Sequence, residues 1–183
     1  ATSANNTSTS AAAGQTTATS TTSSTPALGG GDVAAGHAVP ANASLADPKL
    51  PKSAKPLQEG KLTSGFGFRE GPTTGEMEFH LGVDIAAEAG NPIGALYFGM
   101  VTDIGESPSY GKYVKLYHGN GLETLYAHCS EITVKKGVMV EAGGTIAKVG
   151  SSGNSTGSHL HLEVRKDGIC YNPATVVPLD AYA

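Results

Sequence analysis

The apolar residues of this chain come in short runs cut by glycine, and no stretch sustains a 3.6-residue period. That pattern excludes a helical bundle and predicts many short strands, an all-β domain. The clearest hairpin is Tyr113 to His118 and Leu122 to His128, flanking Gly119-Asn120-Gly121. Asn-Gly tolerates the positive φ of a two-residue turn. Shorter strands are expected within Lys61–Phe68, Pro92–Gly105, Ile132–Val134, Val138–Val140, Thr145–Val149 and Ile169–Tyr171. Residues 70 to 78, with Gly71, Pro72 and Gly75, read as a loop.

Residues 1–58 are rich in Ala, Ser, Thr, Gly, Asn and Pro and hold no Phe or Tyr; all 7 Tyr and all 4 Phe lie beyond. So little apolar bulk cannot offset the entropy of ordering the backbone. The segment reads as a disordered, dispensable tail or linker, and residues 59–183 as the folded domain. From Glu59 onward 9 Lys and Arg stand against 14 Asp and Glu, a difference of −5. A nucleic-acid partner would call for a basic stripe instead. No apolar run has the length of a membrane span. The chain begins at Ala1 and shows no signal peptide. It is expected to be a mature form or a fragment whose export signal, or membrane tether, lies upstream. Cys129 and Cys170 read as two buried small apolar residues, or as one disulfide in an oxidising compartment.

One strand carries more than packing. In His159-Leu160-His161-Leu162-Glu163-Val164-Arg165 apolar and polar residues alternate strictly. Leu160, Leu162 and Val164 are expected to face inward. His159 and His161 share the other face, about 7 Å apart along the strand. That spacing suits one imidazole binding a metal while the other reaches over a substrate. Glu163 and Arg165 read either as a surface ion pair or as groups that orient His161 from behind. The further candidates are His80 with Asp84, and His128. Two histidines and one carboxylate make a catalytic zinc set with one position left for water. Remaining histidines would move protons. His118 reads as structural and His37 as solvated.

His80-Leu81-Gly82-Val83-Asp84, then Tyr126-Ala127-His128, then His159-Leu160-His161 resemble the three motifs of the lysostaphin-like, LytM-type zinc endopeptidases. Gly67-Phe68-Arg69, the Tyr110-Gly111 turn and the run from Gly150 to Gly157 belong to the same resemblance, which spans about Leu62 to Pro173. It implies zinc held by His80, Asp84 and His161, with His128 and His159 as the catalytic pair. It implies two antiparallel sheets framing a groove, and hydrolysis of peptide bonds in bacterial cell-wall peptidoglycan outside the cytoplasmic membrane. Lys112, Ser158 and Cys129 depart from the usual Asn, Pro and Leu, and none removes a ligand. The loop from Glu70 to Phe79 lacks the Tyr that some relatives place near the scissile carbonyl. The alternative is a catalytically silent envelope scaffold or activator of the same fold. A biotinyl-type carrier, suggested by Val134 to Ala147, lacks its Met-Lys-Met triplet.

Overall fold

The computed structural model describes residues 37–183. The regular structure of the described chain is almost all strand, joined by turns and loops: β1 (Ala43–Ser44), β2 (Lys61–Ser64), β3 (Gly67–Glu70), β4 (Met77–His80), β5 (Val83–Ala86), β6 (Pro92–Gly94), β7 (Gly99–Ser107), β8 (Gly111–Tyr117), β9 (Leu122–Ile132), β10 (Met139–Val140), β11 (Thr145–Val149), β12 (His159–Lys166) and β13 (Ile169–Tyr171). Two 3-10 turns, Pro173–Thr175 and Leu179–Tyr182, follow.

The strands form a large sheet and a small one. The main path of the large sheet is β1-β13-β12-β9-β8-β7-β10; β5 joins β12 to β2, and β11 joins β9 to β6. The small sheet is the β3–β4 hairpin. Every pairing is antiparallel except β1 with β13, which is parallel. The β8–β9 hairpin forms where expected, with Asn120 and Gly121 both at positive φ.

The inward face of β12 packs as its alternation requires: Leu160, Leu162 and Val164 are fully buried among Ile85, Leu116, Tyr126 and Ile146. The polar face is covered too, since His161 and Glu163 are also buried. A strand between two neighbours with both faces covered belongs to the sheet centre. Residues 124–129 of β9 are likewise all buried. Cys129 and Cys170 are both free and buried.

Several boundaries differ from the sequence reading. The stretch Lys61–Phe68 is not one edge strand: β2 pairs with β5 in the large sheet, and the chain then turns into the small sheet at β3. The loop over 70–78 is shorter than expected, because β4 begins at Met77 and pairs with Glu70. Ile132 ends the long β9 and starts no strand of its own.

The largest correction concerns residues 37–58. Leu57 is 1% exposed, and its backbone N–H and C=O both bond the Tyr182 hydroxyl. Ala54 N–H donates to Leu96 O, Gly94 N–H to Pro56 O, and β1 adds to the edge at β13. This strap needs few apolar side chains because it is ordered by main-chain pairing onto an existing sheet. The rest of the expected tail, residues 1–36, lies outside the described residues.

Candidate metal centre

His80 ends β4, and Asp84 is the second residue of β5. The tight link through Leu81 and Gly82 carries the chain from the small sheet to the large one. It passes so close to β12 that a Cβ on Gly82 would stand 2.3 Å from the carbonyl oxygen of Leu162 and 2.9 Å from the ring of His161. Only glycine fits there. β12 runs antiparallel to β5 with His161 directly opposite Asp84. Opposite residues of a ladder share a face, so the register itself brings imidazole and carboxylate together.

The atoms His80 Nε2, His161 Nδ1 and Asp84 Oδ1 form a triangle with edges of 3.0, 2.8 and 3.2 Å. A tetrahedral zinc with bonds of about 2.0–2.1 Å spaces its ligand atoms roughly 3.3 Å apart. The triangle fits that requirement with little adjustment, and two nitrogens with one carboxylate oxygen are the donors of catalytic zinc sites. Among the described residues this is the one group of three that converges on a metal position.

Each ligand is braced from behind. His80 Nδ1 lies 2.7 Å from Gly65 O, so it donates its proton there and leaves Nε2 for the metal. Asp84 Oδ2 accepts from Arg69 Nη1 at 2.8 Å. Arg69 is itself fixed by Glu78 at 2.8 Å and Ser64 at 2.6 Å. His161 Nε2 lies 3.1 Å from Glu163 Oε1. Glu163 and Arg165 are therefore not a surface pair; they stand behind His161.

The electrostatics are those of a cation site. Burial raises the Asp84 pKa, but hydrogen bonds from His161 and His80 outweigh it and hold the carboxyl far below the usual range. Burial also disfavours a charged His161, yet its bonds to Asp84 and Glu163 prevail and push its pKa up to about 9. A positive charge is wanted at this point, and without metal a proton supplies it.

His128 and His159 face each other across the mouth of this cluster, with ring centroids 4.6 Å apart. His159 comes from the start of β12, and its Nε2 is 3.9 Å from Asp84 Oδ1. His128 sits where β9 changes partners. Residues 122–127 pair with β12, whereas Cys129 to Ile132 pair with β11. At the switch His128 takes φ = +60°, and its N–H bonds Tyr110 O at 2.8 Å. A left-handed non-glycine residue of this kind costs about 1–2 kcal/mol, a strain typical of functional positions.

One loop fixes both rings. His128 Nδ1 bonds Ser152 O at 2.7 Å, and His159 Nδ1 bonds Gly157 O at 2.8 Å. Both Nε2 atoms are thus left unprotonated in the neutral rings. Burial pushes the His128 pKa down to about 4, with the bond to Ser152 opposing and nearby His159 and His161 assisting. Ser152 is tied down through its own hydroxyl, which donates to Cys129 O and accepts from Lys112 N–H. That contact uses the main chain of residue 112, which is why Lys is tolerated there.

The five residues line a groove of about 780 Å³. Its walls are the β3–β4 hairpin on one side and Tyr110 with residues 154–158 on the other. All five expected site residues meet here. In the sequence Arg69 and Tyr110 are legible only as parts of motifs, and their contacts with Asp84 and Glu163 come from the structure. The strand register that sets Arg69 opposite Glu78 is the signal that could have exposed the first. His118 is structural, bonding Phe98 O and Thr124 Oγ1.

Residues 78–173 match the model of peptidase family M23. The chain belongs to that family. Among curated M23 relatives, the DD-carboxypeptidase/endopeptidase Mpg of Neisseria meningitidis is 42% identical over 122 residues, covering 67% of this chain and 28% of the relative. Peptidoglycan DD-endopeptidase ShyC of Vibrio cholerae is 38% identical over 122 residues, covering 66% of this chain and 28% of the relative. The chain thus spans little more than a quarter of these relatives' length. A solved structure described as a zinc-containing peptidase from Vibrio cholerae superposes with a TM-score of 0.62 at 33% identity, covering 67% of this chain and 39% of that one. The M23 match takes in all five site residues and Tyr110 but begins beyond Arg69.

Proposed function

We propose that this chain is a zinc endopeptidase that hydrolyses peptide bonds of bacterial cell-wall peptidoglycan, outside the cytoplasmic membrane. The observation that carries it is the convergence of His80 Nε2, Asp84 Oδ1 and His161 Nδ1 beside two further imidazoles in an open groove. The M23 relatives named for peptidoglycan endopeptidase activity supply the substrate class. Attachment through a tether upstream of the domain is part of the proposal. No helix of the described residues is long and apolar enough to cross a membrane. We also assign residues 1–36 to a linker and the strap with the sheets to the peptidase unit.

In this reading His80, Asp84 and His161 hold the zinc. When bound, zinc supplies Lewis-acid polarisation of the scissile carbonyl and a lowered water pKa. Arg69 neutralises Asp84 Oδ2 and keeps that carboxylate oxygen away from the metal. The Nδ1 bonds of His128 and His159 leave their Nε2 atoms for the groove in the neutral tautomers. One Nε2 takes a proton from the attacking water, and a protonated Nε2 delivers one to the leaving amine. The low pKa of His128 keeps it neutral, and so able to accept, at pH 7. The silent-scaffold alternative would be favoured by a missing ligand or base, and all five positions are filled.

The test is digestion of purified peptidoglycan from several sources, with fragments read by mass spectrometry. New amino termini that appear with zinc and vanish with chelator are expected. Intact peptides under both conditions would return the chain to the scaffold alternative.

A further inference from the structure

Glu163 is 1% exposed, on the strand that also carries His161. Its two oxygens collect an unusual number of donors. The Tyr110 hydroxyl donates to Oε1 at 2.7 Å, and His161 Nε2 lies 3.1 Å from the same atom. Arg165 donates to Oε2 from both Nε and Nη2. Arg165 Nη2 also reaches the Tyr110 oxygen at 3.3 Å, which closes the ring of contacts. Two segments are drawn together: the turn before β8, and residues 161, 163 and 165 on one face of β12.

A carboxylate only accepts hydrogen bonds. The proton between His161 and Glu163 therefore sits on Nε2, and Nδ1, which faces His80 and Asp84, is the ring atom whose proton zinc displaces. We propose that Glu163, clamped by Tyr110 and Arg165, is a positioning residue that fixes the tautomer of His161 and so decides which ring atom meets the metal. This rests on the zinc reading above. It gives Tyr110, a groove residue, a role behind the metal ligand.

Glu163→Gln tests it with almost no change of shape. A glutamine offers one acceptor oxygen and one donor nitrogen, while Tyr110, Arg165 and His161 bring donors to both positions. An amide nitrogen facing His161 drives the ring proton to Nδ1, where it blocks the metal. Chelator competition on the zinc-loaded proteins is expected to show a dissociation constant raised roughly 10–100-fold. Tyr110→Phe removes one clamp and should raise it by a smaller factor. In wild type, ¹⁵N spectra should show zinc on Nδ1 and the proton on Nε2 of His161. Melting of the metal-free proteins separates a packing role. A variant that melts lower yet binds zinc as wild type does overturns the proposal. Should Glu163→Gln not fold, an unchanged constant in Tyr110→Phe overturns it equally. Wild-type protein that takes up no zinc refutes the metal reading itself, and this assignment with it.

Discussion

His128 holds a backbone conformation that its side chain does not favour, and its imidazole stands 4.6 Å from that of His159. Neither ring is in the triangle formed by His80, Asp84 and His161, so the proposed division into ligands and proton carriers can be tested by substitution. His80→Ala and His161→Ala are expected to lose zinc and activity together. His128→Ala and His159→Ala should keep one zinc per chain and lose turnover by roughly 10²–10⁴-fold. Metal content and hydrolysis rate on the four proteins give the pattern; zinc lost from His159→Ala but kept by His161→Ala would reverse the assignment. The raised pKa of His161 adds a pH signature. Metal-free His161 carries a proton below about pH 9, and zinc must displace it. Zinc affinity should therefore rise by about tenfold per pH unit up to that point and then level off. Calorimetry in buffers of different ionisation heat should detect the released proton; none released at pH 7 would contradict the protonated state.

Among the elements, β12 and β5 matter most, because their register sets His161 opposite Asp84. The turn into β5 fits beneath β12 only through Gly82. Gly82→Ala forces a Cβ against the Leu162 carbonyl, a backbone atom that cannot rotate away. A loss of about 1–3 kcal/mol is expected from the overpacking. Zinc affinity should fall as well, because the strands bearing two ligands are pushed apart. Gly157→Ala is the control: its Cβ would meet nothing within 4 Å, and its melting should stay within about 0.5 kcal/mol of wild type. Equal effects from the two substitutions, by thermal melting and chelator competition, would remove Gly82 from the account of the site.

On the scale of the whole molecule, the strap over residues 37–58 closes the fold. It joins β13, Leu96, Val176 and Tyr182, so it ties the segment after β6 to the C-terminal part of the chain. Comparing a chain that begins at His37 with one that begins at Pro56 measures its worth. Loss of its main-chain bonds should cost a few kcal/mol, at about 1 kcal/mol each, and lower the melting temperature by roughly 5–10 °C. Leu57→Ala should cost about 2–5 kcal/mol through the cavity left among core residues. Identical melting of the two chains would restore the boundary that composition suggests. The alternation of 159–165, the hairpin at Asn120-Gly121 and the five chemical residues could all be read from the chain, because period, turn chemistry and side-chain identity are local properties. The family resemblance implies a division of those five into ligands and proton carriers, which the four substitutions above test. What tertiary structure alone decided is relational. The burial of Glu163, the brace of Arg69 on Asp84, the partner change that strains His128 and the ordering of the strap each depend on a second segment far away in sequence. Composition undervalued the strap because an edge of unpaired N–H and C=O groups can order a polar segment that has no core of its own.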